Sequence, residues 1–190
     1  MRGAMVVIDL PGPVPAERLA ELGAVLRGFG GRFEEARIGS YDVEIEPGRL
    51  GVADGEGGGG RPFRVNITGP GFGDEAVFRA EHDTDPDLEA VIGFTPTHDL
   101  VVVTEDHDRV SALMTIQLAA MVQEVVGGAV EMCAGPRLAE RLRALPGVIA
   151  VAGEGEPRQV YGDAEFLRAW AAHPEFGDYF LRHLHFRNHW

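Results

Sequence analysis

A long amphipathic run beginning at Val110 sets the strongest restriction on the fold. Its apolar residues recur at steps of three and four, namely Leu113, Met114, Leu118, Met121, Val122 and Val125. This spacing predicts a helix over about residues 106–126, which the pair Gly127-Gly128 ends. Because the apolar face of this helix is wide, we expect it to be covered by other elements of a folded domain.

Polar residues crowd the start of this helix: Glu105, Asp106, His107 and Asp108 are consecutive. An N-cap carboxylate accepts hydrogen bonds from free backbone N–H groups, and acids in the first turn complement the helix dipole. We therefore interpret the stretch as a helix start and not as a catalytic or metal site. Thr104 or Asp106 is the predicted N-cap.

Short apolar runs between glycine and proline turns predict strands along the rest of the chain. The predicted strands are residues 4–10, 33–39, 41–47, 63–69, 75–81, 99–105, 129–132, 148–153 and 158–162. Further helices are predicted at 15–29, 85–94, 135–147 and 163–174, with Asp85 and Asp163 as N-caps of the second and fourth.

This order of elements predicts an α+β fold. We expect a mixed, largely antiparallel sheet with about four helices packed on it, in a single domain over residues 1–190. Residues 1–105 would form a strand-rich half and residues 106–190 a helical half. The glycine-rich stretch 48–62 is predicted to be a flexible loop, in which only Leu50 and Val52 could act as anchors.

The net charge of −13 is concentrated in residues 74–108, which we call the acidic segment. It holds eleven acidic residues and one arginine, Arg79, which gives it a net charge of −10. Such a surface repels nucleic acid and speeds the encounter with basic partners. We therefore expect a basic protein partner and no nucleic-acid ligand.

Cysteine usage and hydropathy point to the cytoplasm. Cys133 is the one cysteine, so no internal disulfide can form, which fits a reducing compartment. No uninterrupted apolar run reaches the roughly 18 residues of a membrane span, and residues 1–10 lack a signal-peptide pattern. We expect a cytoplasmic protein without a membrane partner.

Several catalytic mechanisms are excluded by residue type. The chain has no lysine, which rules out a P-loop in the glycine cluster and also Schiff-base chemistry. Its serines, Ser40 and Ser111, lie in no nucleophile elbow. Cys133 is interpreted as a small core residue. We therefore predict no catalytic residue and no cofactor.

Metal sites are considered at three places. The series Asp83, Asp85 and Asp87 fails as a calcium loop, because Leu88 and Phe94 stand where glycine and glutamate are needed. A looser site would use His82, Asp83, His98, Asp99 and His107. The tail histidines His183, His185 and His189 form a third candidate. None of the three is predicted to hold a metal, because exposed polar loop ends give the same pattern.

Two pieces of the sequence, the first of them interrupted at residues 104–105, carry a family resemblance. "GFTPTHDLVVV", "DHDRVSALMTIQLAAMVQEVVGGAVEM" and "DAEFLRAWAAHPEF" resemble an uncharacterised actinobacterial family of small cytoplasmic proteins. The resemblance covers most of residues 93–176. Several immunity-type proteins, which neutralise secreted polymorphic toxins, have a similar layout. No catalytic residue carries over from it.

These observations predict a protein-binding module, specifically an immunity protein whose acidic surface covers the basic cleft of a toxin. The predicted partner contacts, all in the acidic segment, are Asp83, Asp85, Asp87, Glu105 and Asp108. One alternative is an enzyme with an unusual metal or carboxylate site around His82, His98 and His107. A structural or scaffold protein is a further alternative.

Overall fold

The computed structural model describes residues 3–53, 59–73, 75–82, 88–153 and 157–177. The strands are β1 (Met5–Leu10), β2 (Phe33–Arg37), β3 (Ser40–Ile45), β4 (Arg61–Thr68), β5 (His98–Val103), β6 (Ala129–Ala134), β7 (Val148–Ala152) and β8 (Arg158–Gly162). The helices are α1 (Ala16–Arg27), α2 (Glu75–His82), α3 (Glu89–Ile92), α4 (Arg109–Val126), α5 (Pro136–Leu142) and α6 (Ala164–Ala171), with a 3₁₀ helix at Pro47–Leu50.

All eight strands belong to one sheet, in the order β2-β3-β4-β5-β1-β6-β8-β7. Every neighbouring pair is antiparallel. The predicted α+β class and single domain are confirmed, and the sheet is antiparallel throughout its described strands. Strand β1 lies between β5 and β6, so residues of β1 occupy the centre of the sheet.

One face of the sheet packs against α4, as the amphipathic run predicts. Alternation along the strands directs Ile8, Leu100 and Val130 to this face, where they are fully buried. The hydrophobic core continues without a break from Ala4 to Phe176. The strand-rich and helical halves therefore share one core and do not form separate domains.

Helix α4 lies at the middle of this core, between α1 and α6. It is the one described helix that is long and apolar enough to cross a membrane, but 61% of it is buried inside the domain. Its buried Gln123 is hydrogen-bonded at both ends of the amide. The side-chain nitrogen donates to the Gly128 carbonyl at 2.9 Å, and the oxygen accepts from the Ala164 N–H at 3.0 Å. Because both ends of the Gln123 amide are hydrogen-bonded, this polar residue is tolerated in the core. The two bonds connect α4 to the turn before β6 and to the start of α6.

The other face of the sheet is contacted by α2, which belongs to the connection between β4 and β5. This connection contains α2 and α3; α2 reaches β5 through His82, and α3 contacts β7 at the far edge. We call the side of the sheet that faces this connection the second face. It carries the residues that alternate with the core positions, including Asp9, Asp99 and Glu131.

The strand predicted at residues 75–81 is wrong, because this stretch forms α2. Eight residues allow both an alternating and a helical pattern, so periodicity alone does not decide. Helical spacing places Phe78 and His82 on one face, where Phe78 is buried and their rings stack with centroids 4.3 Å apart. An ion pair between Glu75 and Arg79, four residues apart, supports the same helix.

The glycine-rich stretch 48–62 is only partly a loop. Its first residues belong to the 3₁₀ helix, its last two begin β4, and both predicted anchors, Leu50 and Val52, are buried in the core. Residues 54–58 lie outside the described part of the chain. The helix predicted at 85–94 corresponds to α3, which is shorter and spans Glu89–Ile92. Its predicted cap, Asp85, lies outside the described residues.

Helix α4 begins later than predicted, at Arg109, and its N-cap is Asp108. One Asp108 oxygen accepts from the Ser111 N–H at 3.0 Å, and the other from the Ser111 hydroxyl at 3.0 Å. The prediction of Asp106 or Thr104 as the cap is therefore wrong. The Thr104 hydroxyl instead accepts from the Asp106 N–H and donates to the Pro62 carbonyl, which holds the preceding turn against β4.

Replacing Asp108 with alanine is expected to lower the free energy of unfolding by about 0.5–2 kcal/mol, the usual loss for an N-cap. Asp106→Ala is the matched control, because Asp106 caps nothing, and it should cost less than about 0.5 kcal/mol. Urea unfolding at pH 7 measures both. Equal losses for the two variants would show that Asp108 is not the functional cap.

The effect of Asp108 should also depend on pH. Partial burial raises the pKa of Asp108, but the Ser111 hydrogen bonds and the charge of Arg61 outweigh burial and hold the pKa below its ordinary value of 3.8. A depressed folded-state pKa gives stability that is complete above the unfolded-state value and is lost as pH falls through the folded-state value. The difference between wild type and Asp108→Asn should therefore be constant from pH 6 to 8 and shrink below about pH 4.

Candidate functional site

Two carboxylates lie directly opposite each other at the centre of the second face. Antiparallel pairing of β1 with β5 places Asp9 against Asp99 in register. Asp9 is 0% exposed and Asp99 is 1% exposed. Side chains that face each other across an antiparallel pair are close neighbours, and like charges in such a pair repel. Two acids buried at the middle of a sheet are unusual, because buried carboxylates need partners, and this marks the pair as a site of chemical interest.

Helix α2 adds a histidine to this pair. The His82 Nε2 lies 3.0 Å and 3.2 Å from the two oxygens of Asp99. One ligand atom from each of Asp9, His82 and Asp99 lies within 4.8 Å of the other two. We call these three residues the Asp-His-Asp cluster. An imidazole between carboxylates can exchange a proton with them or share a cation with them.

The packing of Phe78 fixes the direction of the histidine. Its ring stacks on the His82 ring at 4.3 Å with an interplanar angle of 36°, and the Phe78 side chain is itself buried. The His82 side chain is 11% exposed. The last turn of α2 therefore holds His82 Nε2 towards the sheet instead of towards solvent.

Polar residues continue along the second face beyond the cluster. Glu131 on β6 is 6% exposed and lies one register step from Asp9, since Asp9 pairs with Ala129. The Glu131 Oε1 lies 3.9 Å from the Cys133 Sγ. Cys133 lies within β6 and on this polar face, so its interpretation as a core residue is wrong. The sheet is thus apolar on the α4 face and acidic at the centre of the second face.

The structure brings together only part of the metal site considered from the sequence. His82 and Asp99 meet, but His98, the neighbour of Asp99 along β5, points to the α4 face. Its Nε2 lies 2.9 Å from the Pro70 carbonyl and its Nδ1 lies 2.9 Å from the Thr97 hydroxyl. His107 is exposed just before α4. Asp83 and the tail histidines lie outside the described residues.

Sequence reasoning missed Asp9. The available signal was an aspartate inside the apolar run "VVIDL", where an uncharged residue is expected. This aspartate can be recognised as a buried residue only when α2 is known to pack on the second face. Without a cover, the same aspartate would simply face solvent.

The acidic segment places most of its described carboxylates at the surface. Asp99 is buried, whereas Glu75, Glu89, Glu105 and Asp108 are exposed. Some of their charge is offset within the domain, because Arg79 pairs with Glu75 and Arg61 lies 2.5 Å from Asp108 and 3.6 Å from Asp106. Among the described residues, Glu89 and Glu105 form no ion pair. The predicted contacts Asp83, Asp85 and Asp87 lie outside the described part.

A comparison with known proteins places the chain in a family. The profile of a family of unknown function (DUF6368) matches residues 2–177. The chain belongs to this family. The DUF6368 match includes every strand and helix described above, and so extends over the N-terminal half that the sequence resemblance did not cover. Neither a curated protein nor a solved structure matches the chain. Membership in DUF6368 assigns no activity, so any function has to be argued from the residues themselves.

Proposed function

We propose that the protein is a binding module for a basic protein partner, and that it acts as an immunity protein against a secreted polymorphic toxin. The observation that carries this proposal is the concentration of charge in the acidic segment, where eleven acids meet one arginine. A net charge of −10 in 35 residues produces a strong local potential that attracts a basic surface over a distance of about 10 Å.

Exposure of the described acids supports this proposal. Glu89 and Glu105 are exposed, and neither is offset by an arginine of the described chain. Arg79, the one arginine of the segment, is already paired with Glu75. Glu89 and Glu105 therefore present their negative charge outward, where a partner could neutralise it.

The five proposed contact residues differ in what they can contribute. Glu105 is exposed and available for a direct ion pair. Asp108 is also exposed, but it caps α4 and pairs with Arg61, so its role is to add to the attracting field. Asp83, Asp85 and Asp87 contribute the densest charge of the segment. Charges at the rim of an interface act mainly on the association rate.

The proposed immunity role depends on the ability of the acidic segment to block the basic cleft of a toxin. A toxin that acts on nucleic acid needs a basic cleft for phosphate groups. An acidic protein that fills this cleft competes with the nucleic-acid substrate. It does not bind to proteins whose surfaces are neutral, which gives it specificity. A cytoplasmic location would place the protein where such a toxin acts. The sequence layout of residues 93–176, which is similar to that of several immunity-type proteins, favours the same role.

The proposal can be tested by co-expression. We expect a secreted protein with a toxin-like C-terminal domain to be encoded beside this chain, and that domain should arrest growth when expressed alone in the cytoplasm. Co-expression of the full chain should restore growth, and the two proteins should purify as a complex. Failure to restore growth, at equal expression of the toxic domain, would contradict the immunity role.

A charge-neutral variant locates the interface. Replacing Asp83, Asp85 and Asp87 together with asparagine should slow association with that toxin domain by about three- to tenfold at low salt and flatten its salt dependence. The matched control replaces three exposed acids outside the segment, Glu17, Glu46 and Glu165, with glutamine. Stopped-flow association rates measure both. Equal slowing by the two variants would remove the segment from the interface and leave only a net-charge effect.

A further inference from the structure

We propose that the Asp-His-Asp cluster is a binding site for a divalent transition-metal ion, with Asp9, His82 and Asp99 as ligands. The inference concerns the second face of the sheet and does not depend on the proposed partner-binding role of the acidic segment. It rests on the chemistry of the three side chains, their mutual distances and their burial.

The residue types fit such an ion. Imidazole nitrogen and carboxylate oxygen are ligands of zinc and manganese, whereas calcium and magnesium prefer oxygen alone. Two aspartates and one neutral histidine would place a net charge of −2 around the ion, which a divalent cation balances. Three protein ligands also leave a coordination position for water or for a further group.

The distances fit as well. Zinc–ligand bonds of about 2.0–2.2 Å imply that neighbouring ligand atoms lie about 3–3.6 Å apart. His82 Nε2 and the Asp99 oxygens, at 3.0 Å and 3.2 Å, already have this separation. The third ligand atom, from Asp9, lies within 4.8 Å of the other two, so a shift of about 1 Å or a rotation of one carboxylate completes the set.

Burial supplies the driving force. Asp9 and Asp99 face each other in register with almost no exposure to solvent, so water would screen the attraction between a bound cation and these carboxylates only weakly. A divalent cation held there would interact with both carboxylates at once. The neighbouring Glu131, also buried, adds a further negative charge to the same part of the sheet.

The three residues lie on strands and a helix, which position ligands more precisely than loops do. Asp9 and Asp99 are held by the central strands β1 and β5, and the Phe78 ring orients His82. The competing explanation is an ion pair between His82 and Asp99 that only fastens α2 to the sheet. The two explanations differ in their response to added metal.

The test is a titration of the full chain, stripped with EDTA, with zinc chloride and separately with manganese chloride. The tail histidines are first replaced together (His183→Ala, His185→Ala, His189→Ala) so that they cannot bind the ion. Calorimetry is expected to show one equivalent of bound ion. At free metal 100 times the dissociation constant, the melting temperature should rise by about 5–10 °C.

Variants then assign the site. Asp99→Asn and Asp9→Asn keep the side-chain volume, and each is expected to weaken binding at least tenfold, as is His82→Ala. His107→Ala, which alters an exposed histidine outside the cluster, is the matched control and should leave binding unchanged. The melting curve without metal shows that each variant is folded.

Three outcomes would overturn the proposal. The first is that neither ion binds or raises the melting temperature, which would leave the ion pair between His82 and Asp99 as the role of the cluster. The second is that the ion binds equally well to the Asp99→Asn and His82→Ala variants. The third is that binding in the unaltered chain disappears with the tail histidines, which would place it at the C-terminus.

Discussion

Replacing Gly128 with alanine is expected to lower the free energy of unfolding by more than about 3 kcal/mol. Gly128 has a φ of +86°, which strains any residue with a side chain. An added Cβ would also lie 2.3 Å from the Asp9 carbonyl oxygen and 2.9 Å from a methyl group of Leu10. The backbone of β1 would have to move, because a carbonyl in a central strand cannot rotate away.

Gly51→Ala separates the two causes. Gly51 also has a positive φ, of +68°, but an added Cβ there meets no atom within 4 Å. This control should cost only the conformational strain, about 1–2 kcal/mol. Urea unfolding of both variants measures the difference. An equal loss of stability in the two variants would contradict the close contact between Gly128, in the turn before β6, and the backbone of Asp9 in β1.

Trp170→Ala is expected to cost about 3–5 kcal/mol. Trp170 is fully buried on α6, where α6 packs on α4, and its ring contacts the Phe176 ring edge-on at 5.6 Å. Removing it would leave a large cavity in the core that the strand-rich and helical halves share. We therefore expect the whole domain to be destabilised and not α6 alone.

The matched control is Ile149→Ala, at a side chain that is 48% exposed on the edge strand β7, and it should cost less than about 1 kcal/mol. Thermal unfolding followed by far-UV circular dichroism and by tyrosine absorbance should show one shared transition for Trp170→Ala. Two separate transitions would show that residues 1–105 and 106–190 unfold independently.

The elements predicted correctly from sequence are those with a long or strongly bounded pattern. Helix α4 repeats its apolar spacing over more than four turns, and Asp163 caps α6 as predicted through bonds to the Glu165 and Phe166 N–H groups. The correctly predicted strands β1 to β4 lie between glycine and proline turns that mark their ends. The predicted start of α4 is wrong because Thr104, Asp106 and Asp108 can all cap a helix. The backbone conformation decides which of them is the cap, and it cannot be read from the residue types.

The Asp-His-Asp cluster could not be predicted because one element was assigned wrongly and one strand pairing has no local signal. The predicted strand at 75–81 ends just before His82, whereas the structure has α2 there, which carries His82 onto the second face. The register of β1 with β5 depends on long-range pairing, so no local pattern shows that Asp9 faces Asp99. The sequence therefore places His82 and Asp99 in one candidate site, together with residues that do not belong to the cluster, and it misses Asp9.

The proposed function is tested most directly by the salt dependence of association between the full chain and the toxin domain encoded beside it. An acidic surface that steers a basic partner should give a one-to-one complex. Its association rate should fall at least tenfold between about 20 mM and 200 mM sodium chloride, with a smaller change in dissociation rate. A complex whose association rate does not change with salt, or the absence of any complex, would contradict the account.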